Sequence, residues 1–154
     1  RTGRDGLTIG IAWRGRREGA RGDLRSPGLK PFMKLTEDTR VTLISLQKQG
    51  GVEELATIEG ANEIMDPTSQ IDDFADTAAL MVNLDAVVSC DSAPLHLAGA
   101  MGVPAFAVLP HVAEWRWGQT GDTTPWYPGM SLVRQSTPGN WAGIFSEITD
   151  KLKQ

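Results

Sequence analysis

The stretch Ala86-Val87-Val88-Ser89-Cys90-Asp91-Ser92-Ala93-Pro94-Leu95-His96-Leu97-Ala98-Gly99-Ala100-Met101-Gly102-Val103-Pro104-Ala105-Phe106-Ala107-Val108-Leu109 decides the fold. It reads as a strand over Ala86–Ser89 closed by Cys90, a sharp turn, a helix over Ala93–Met101 and a strand over Ala105–Leu109. Pro94 suits a first helical turn, where its missing N–H is not needed, and Gly102 followed by Pro104 is a natural stop. The helix carries no charged residue, so it cannot lie open to water and must be sandwiched against a sheet. Its N-terminus, rimmed by Asp91 and Ser92, suits an anion such as a phosphate. His96 lies one turn inside, and helical side chains lean back toward the N-terminus, within reach of such an anion. The same residues also fit a plainer arrangement, with Ser92 and Asp91 capping a buried helix and His96 a satisfied core residue.

Working outward, Leu7–Trp13 reads as a buried strand and Val41–Leu46 as another. Between them lies a loop rich in Arg and Gly, from Arg14 to Gly28, and a short helix over Leu29–Thr36 with Leu29, Phe32, Met33 and Leu35 inward. A short helix over Val52–Ile58 and a weakly marked strand over Glu63–Met65 follow. Asp72 or Asp73 can cap a further helix that lines up Phe74, Ala78, Met81 and Leu84 on one face. Pro110–Met130 shows no regular period, Ser131–Arg134 fits a last strand, and Trp141–Leu152 is amphipathic with Trp141, Ile144, Phe145, Ile148 and Leu152 inward. Short apolar strands alternating with helices imply a Rossmann-like, doubly wound α/β fold with a mostly parallel sheet. There is no internal repeat and no low-complexity segment.

The 154 residues fit one domain, expected over 1–154. Apolar residues make up 40% and charged residues 22%, the balance of a globular domain, and the net charge of −4 argues against a general nucleic-acid surface. The single cysteine, Cys90, excludes a disulfide framework. No run approaches a membrane span and no signal peptide opens the chain, so a reducing cytoplasm is the expected setting. The chain starts at Arg1 with a strand almost at once, which suggests a piece of a longer protein.

Ligands of such sheets bind outside the carboxyl ends of the strands. That rule gathers Arg14, Gln47, Lys48, the stretch around Asp66 to Asp73, Asp91-Ser92-Ala93 and Pro110-His111 along one edge. Lys48 can bring a point charge to a diphosphate or be merely solvated. The loop arginines Arg14, Arg16, Arg17, Arg21 and Arg25 suit anion capture or plain solvation equally well. Trp115, Trp117, Trp126 and Tyr127 suit either stacking at a pocket rim or a small satellite core. No G-x-G-x-x-G or Walker pattern is present, which argues against a nicotinamide dehydrogenase or a P-loop ATPase. The two histidines are not at metal-ligand spacing. Cys90 in a buried strand would be inert.

The run Leu84–Gly102 resembles the nucleotide-sugar-binding half of GT-B glycosyltransferases. Asp91-Ser92 with His96 is similar to the Asp-Ser/Thr-x-x-x-His signature of the ADP-heptose lipopolysaccharide heptosyltransferases. Asp72-Asp73-Phe74-Ala75-Asp76-Thr77-Ala78-Ala79-Leu80, Ser45-Leu46-Gln47-Lys48, Glu114-Trp115-Arg116-Trp117 and Pro125-Trp126-Tyr127-Pro128 resemble bacterial glycosyltransferases that follow tetratricopeptide repeats. The likeness runs from Ile9 to Leu152. It implies a nucleotide-diphosphate sugar donor held by Asp91, Ser92, Ala93 and His96, with Lys48 neutralising a phosphate. Arg14, Gln47, Phe74, Trp115 and Trp117 are further candidates for that site. It implies inverting, metal-independent transfer without a cofactor, and the leaving diphosphate stabilised by helix N-terminus and lysine. Family members usually have Thr and often Gly or Ala after the aspartate, whereas this chain has Ser92-Ala93-Pro94; the hydroxyl is kept. GT-B enzymes place the acceptor site and commonly the catalytic base on an N-terminal domain, and nothing before Leu7 can form one, so binding without turnover is expected. A non-catalytic nucleotide- or glycan-binding module and a related nucleotide-sugar epimerase are the alternatives.

Overall fold

The computed structural model describes residues 6–16 and 23–153. Five parallel strands form one sheet: β1 (Leu7–Ala12), β2 (Val41–Ser45), β3 (Ala86–Cys90), β4 (Ala105–Leu109) and β5 (Met130–Arg134), in the order β2-β1-β3-β4-β5. The helices are α1 (Glu54–Thr57), α2 (Phe74–Met81), α3 (Ala93–Met101) and α4 (Ala142–Leu152), with 3-10 turns over Asp23–Arg25, Lys30–Glu37, Ala61–Glu63, Thr68–Gln70 and Trp115–Trp117. This is the Rossmann-like α/β architecture expected from the alternation of strands and helices. The chain leaves β1 toward β2 on one side and returns across it to β3, so the order reverses between β1 and β3. Such a reversal opens a crevice at the carboxyl ends of those two strands.

Alternate strand residues face opposite sides, and each side has its own core. Ile9, Ile11, Trp13, Leu43, Val88, Val108 and Val133 meet Leu29, Phe32 and Leu35 of the first crossover and Ile144, Phe145 and Ile148 of α4. Phe32 and Phe145 touch across that layer with ring centroids 4.6 Å apart. Ala12, Ile44, Leu46, Val87, Ala107 and Leu132 face the other way, onto Met81 and Leu84 and onto Leu95 and Ala98 of α3. Every residue of β3 is buried, as befits a strand covered on both faces.

The bounds of α3 and β4 are those read from the sequence, while several other elements differ. The first crossover helix is a 3-10 helix over Lys30–Glu37 rather than an α-helix, with Pro31 in its first turn. The helix expected over Val52–Ile58 contracts to one turn, Glu54–Thr57. Glu63–Met65 is not a strand. A 3-10 turn occupies Ala61–Glu63, and Met65 alone bridges Ile44 at the edge of β2. On the α2 face, Met81 and Leu84 are buried but Phe74 is 61% exposed. Phe74 is the first residue of the helix and stays in solvent, while Thr77, one turn on, is buried instead. Arg17 to Gly22 of the Arg- and Gly-rich loop lie outside the described residues.

Candidate functional site

The crevice between β1 and β3 is built on backbone held by side chains. Gln47 follows β2 and is nearly buried, at 5% exposure. Its Oε1 accepts the amides of Trp13 and Arg14, both at 2.9 Å. Its Nε2 donates to the carbonyls of Arg14 (3.0 Å), Gln49 (2.7 Å) and Gly50 (2.9 Å). The amide is thus fully engaged with backbone and stitches the ends of β1 and β2 together. Arg14 reaches across to Glu54, 2.6 Å from Nε to Oε1, and the other Glu54 oxygen accepts the Leu29 amide at 2.8 Å. Gly15 passes so close to the turn after β3 that a Cβ there would sit 2.7 Å from the Asp91 carbonyl oxygen. Only glycine permits that approach.

Lys48 points from the end of β2 toward the N-terminal approach to α2. Its ammonium donates to the carbonyl of Ile71 and, at 3.1 Å, to that of Asp72. Those carbonyls fix where the charge stands on the crevice wall.

At the head of α3 the arrangement departs from simple capping. Ser92 takes the N-cap position with extended backbone, yet its hydroxyl accepts no helix amide. The Ser89 hydroxyl donates to the Cys90 carbonyl at 2.8 Å, so the hydroxyl of Ser92, 2.8 Å from Ser89 Oγ, donates to Ser89. The Leu95 and His96 amides close back on the Ser92 carbonyl, and Pro94 has no amide. No acceptor among the described residues is bonded to the amides of Ser92 and Ala93.

Asp91 stands beside that open end with its side chain only 6% exposed. Its Oδ1 lies 3.3 Å from His96 Nε2 and 3.8 Å from Arg116 Nη1. Burial works against the charge, but the His96 ring, the Trp117 indole N–H and the Arg116 guanidinium outweigh it, and the carboxyl titrates below the usual carboxylate range. The indole N–H of Trp117 is buried and completes no hydrogen bond of good geometry, so it acts on Asp91 as an oriented dipole. His96 is neither a core residue nor free. Its ring stacks on Trp117 at 5.3 Å, and its Nδ1 is 2.9 Å from the Tyr127 hydroxyl. Cys90, fully buried behind this turn, has its thiol pushed up to about 12 by burial and by the Asp91 charge, so it holds no reactive thiolate.

Two cavities meet at this head. The larger, about 600 Å³, runs over Leu46, Gln47 and Lys48 to Asp72, Phe74 and Thr77. The smaller, about 300 Å³, is walled by Arg25, Ser26, Asp91, His96 and Arg116. Gly15, Arg16, Ser92 and Ala93 line both. Arg25 pairs with Glu114 at 3.2 Å and straps the smaller cavity along one side.

Of the residues singled out in the sequence, Arg14, Gln47, Lys48, Phe74, Asp91, Ser92, Ala93 and His96 come together on these walls. The tryptophans do not. Trp117 is 2% exposed and buttresses His96. Trp115, 75% exposed, makes an edge-to-face pair with Trp126 at 6.4 Å and lines neither cavity. The 3-10 turn over Trp115–Trp117 sends the two indoles in opposite directions. Arg134 at the end of β5 fastens that turn, donating to the carbonyls of Trp117, Gly118 (3.1 Å) and Gly121 (3.2 Å). Arg116 was not singled out in the sequence, and Tyr127 only as one of the aromatic residues of the Trp-rich segment, not as a partner of His96. Among the described residues no cluster of three or more His, Cys, Asp or Glu side chains could hold a metal ion. No described helix is long and apolar enough to cross a membrane.

Comparison with known proteins places this geometry in context. The sequence profile of Glycosyltransferase family 9 (heptosyltransferase) matches residues 33–136, which include Lys48, the Asp91–His96 turn and Tyr127. No curated protein matches the sequence significantly. Among solved structures, the E. coli heptosyltransferase WaaC with ADP superposes with a TM-score of 0.64 at 15% identity, over 97% of this chain and 44% of that one. E. coli ADP-heptose lps heptosyltransferase II gives 0.62 at 12% identity, over 97% of this chain and 48% of that one. WaaC with ADP-2-deoxy-2-fluoro heptose gives 0.64 at 14%, over 96% and 44%. At these identities the likeness is one of fold, and the chain spans somewhat under half the length of each of these structures.

Proposed function

Because this chain belongs to glycosyltransferase family 9, the heptosyltransferase family, we propose that it is the donor-binding half of a glycosyltransferase that uses a nucleotide-diphosphate sugar. The observation that carries the reading is the uncapped head of α3, with the Ser92 and Ala93 amides open where the two cavities join. The diphosphate would lie across that junction, on the helix N-terminus. The nucleoside would occupy the larger cavity, against the exposed ring of Phe74 and the apolar Leu46. The transferred sugar would occupy the smaller one, where ionised Asp91 accepts a hydroxyl hydrogen bond.

The reaction is of the inverting type. An acceptor oxygen attacks the anomeric carbon as the bond to the diphosphate oxygen breaks, and the nucleoside diphosphate leaves with the electron pair. Charge builds on the leaving diphosphate, where the α3 amides, Lys48 and the neighbouring arginines favour it without a divalent ion. Asp91, clamped by His96 and Arg116, is too weak a base to take the acceptor proton, so that task and the acceptor site fall to a second domain facing this edge. One superposed structure is WaaC with ADP and another is an ADP-heptose heptosyltransferase, which makes an adenine nucleotide the first to try. The Asp72–Leu80 and Pro125–Pro128 motifs support kinship with the tetratricopeptide-linked group.

A thermal-shift series with ADP, UDP and GDP tests the reading. At a hundredfold excess over Kd the bound nucleotide should stabilise the fold by roughly 2.7 kcal/mol, an easily measured rise in Tm. A well-folded sample that none of the three stabilises would sink it.

A further inference from the structure

We infer that Tyr127 is a positioning residue of this donor site, acting through His96 on Asp91. The inference rests on the reading of Asp91 as a donor ligand. His96 Nδ1 is 2.9 Å from the Tyr127 hydroxyl, while Nε2 lies 3.3 Å from Asp91 Oδ1 and 3.4 Å from Arg116 Nη1. A neutral imidazole carries one proton, and these partners decide where it sits. The ionised Asp91 oxygen, the nearer partner, needs Nε2 to carry the proton, whereas the Arg116 guanidinium can only donate and favours a bare Nε2, so these two pull the tautomer in opposite directions. Tyr127 tips the balance: by donating its hydroxyl hydrogen to Nδ1 it keeps the proton on Nε2, the tautomer that Asp91 needs.

The fold makes room for this phenol. The Tyr127 ring lies over α3 at Gly99, where a Cβ would fall 2.5 Å and 2.6 Å from ring carbons Cγ and Cδ1. An uncharged helix interior is an unfavourable place for glycine, and here the missing side chain is the seat of the ring. The ring centroid stands 5.7 Å from that of His96, Trp117 stacks on the imidazole at 5.3 Å, and the Trp117 and Tyr127 centroids are 6.4 Å apart, so the three rings pack as one cluster. His96 is thus gripped by two rings and fixed at both nitrogens. Tyr127 touches neither cavity, so its effect on a ligand must pass through His96 and Asp91.

Tyr127→Phe removes one oxygen and keeps the ring that fills the Gly99 seat. Affinity for ADP-heptose, measured by calorimetric titration, should fall about fivefold to tenfold, the usual consequence of losing one buried hydrogen bond, while affinity for ADP and Tm change little. Imidazole nitrogen NMR of His96 at pH 8, in the free protein, should show the Nε2–H form in the wild type and a mixture of tautomers in Y127F. Y127F with wild-type affinity for ADP-heptose and an unchanged tautomer would overturn the inference, as would an Nδ1–H form in the wild type itself. Should Y127F fail to fold, the wild-type spectrum alone decides. Wild type that binds no ADP would count against the donor-site reading, while the tautomer measurement would still judge the role of Tyr127.

Discussion

Helices α2 and α3 both begin at the carboxyl edge of the sheet, and their N-termini are finished in opposite ways. Asp73 caps α2 outright: its Oδ1 accepts the amides of Ala75 at 2.7 Å and Asp76 at 3.0 Å. Asp76 reaches back to accept the Asp72 amide at 2.8 Å, so the helix supplies its own anions. At α3 the capping residue directs its hydroxyl away from the helix, to Ser89, and the neighbouring carboxylate is held to one side by His96 and Arg116. A helix N-terminus carries partial positive charge that something must meet. In α2 the chain meets it; in α3 no described side chain does, and the proposed diphosphate would.

Exchanging the two finishes gives the largest expected effect. Ser92→Asp would give α3 a carboxylate cap like that of α2, stabilising the fold by about 0.5–1 kcal/mol. The same carboxylate would stand where the diphosphate is proposed to sit, so ADP affinity should drop by about a hundredfold. Denaturant titration and calorimetry read the two effects separately; unchanged ADP binding in a stabilised S92D would show that the open end is not the anion site. The converse change, Asp73→Ala, should cost about 1 kcal/mol of stability and alter ADP affinity by less than about threefold. A larger loss of affinity would mean that the α2 cap is itself part of the ligand site.

The smallest effect sharpens the role of Asp91. Its folded carboxyl titrates lower than an unfolded one, so ionised Asp91 contributes stability above the unfolded value near 4. That contribution is lost as pH falls through the lower folded value. The stability gap between wild type and Asp91→Asn should therefore be constant at neutral pH and shrink only below about pH 4. A gap that closes well above that pH would mean that His96 and Arg116 do not hold the carboxylate charged.

Much of this contrast was legible in the sequence, and the illegible part has physical causes. The uncharged run Ala93–Met101 between Pro94 and Gly102 fixed α3 to the residue, because composition and stops agreed. The α2 cap was legible as Asp72 or Asp73, and Asp73 is the one that caps. What local pattern could not show is that Ser89, three residues earlier, would take the Ser92 hydroxyl, since that contact exists only once the strand turns into the helix. Helical spacing put Phe74 on the inner face of α2 but carries no information on what packs against the first turn, and Phe74 is exposed there. The Trp-rich segment suited either a pocket rim or a small satellite core as a whole. A 3-10 turn divides it, so Trp117 braces the histidine while Trp115 faces water.

The amide of Gln47 has a consequence for variation in this fold. It grips the amides of Trp13 and Arg14 and the carbonyl of Arg14, all of them main-chain groups, so the chain leaving β1 is anchored from β2 as well as by its own Arg14–Glu54 pair. Side chains across the larger cavity, such as Phe74, can then be exchanged while Gln47, Arg14 and Gly15 hold its floor. An experimenter testing the proposed nucleotide preference has a library site here whose backbone is already clamped.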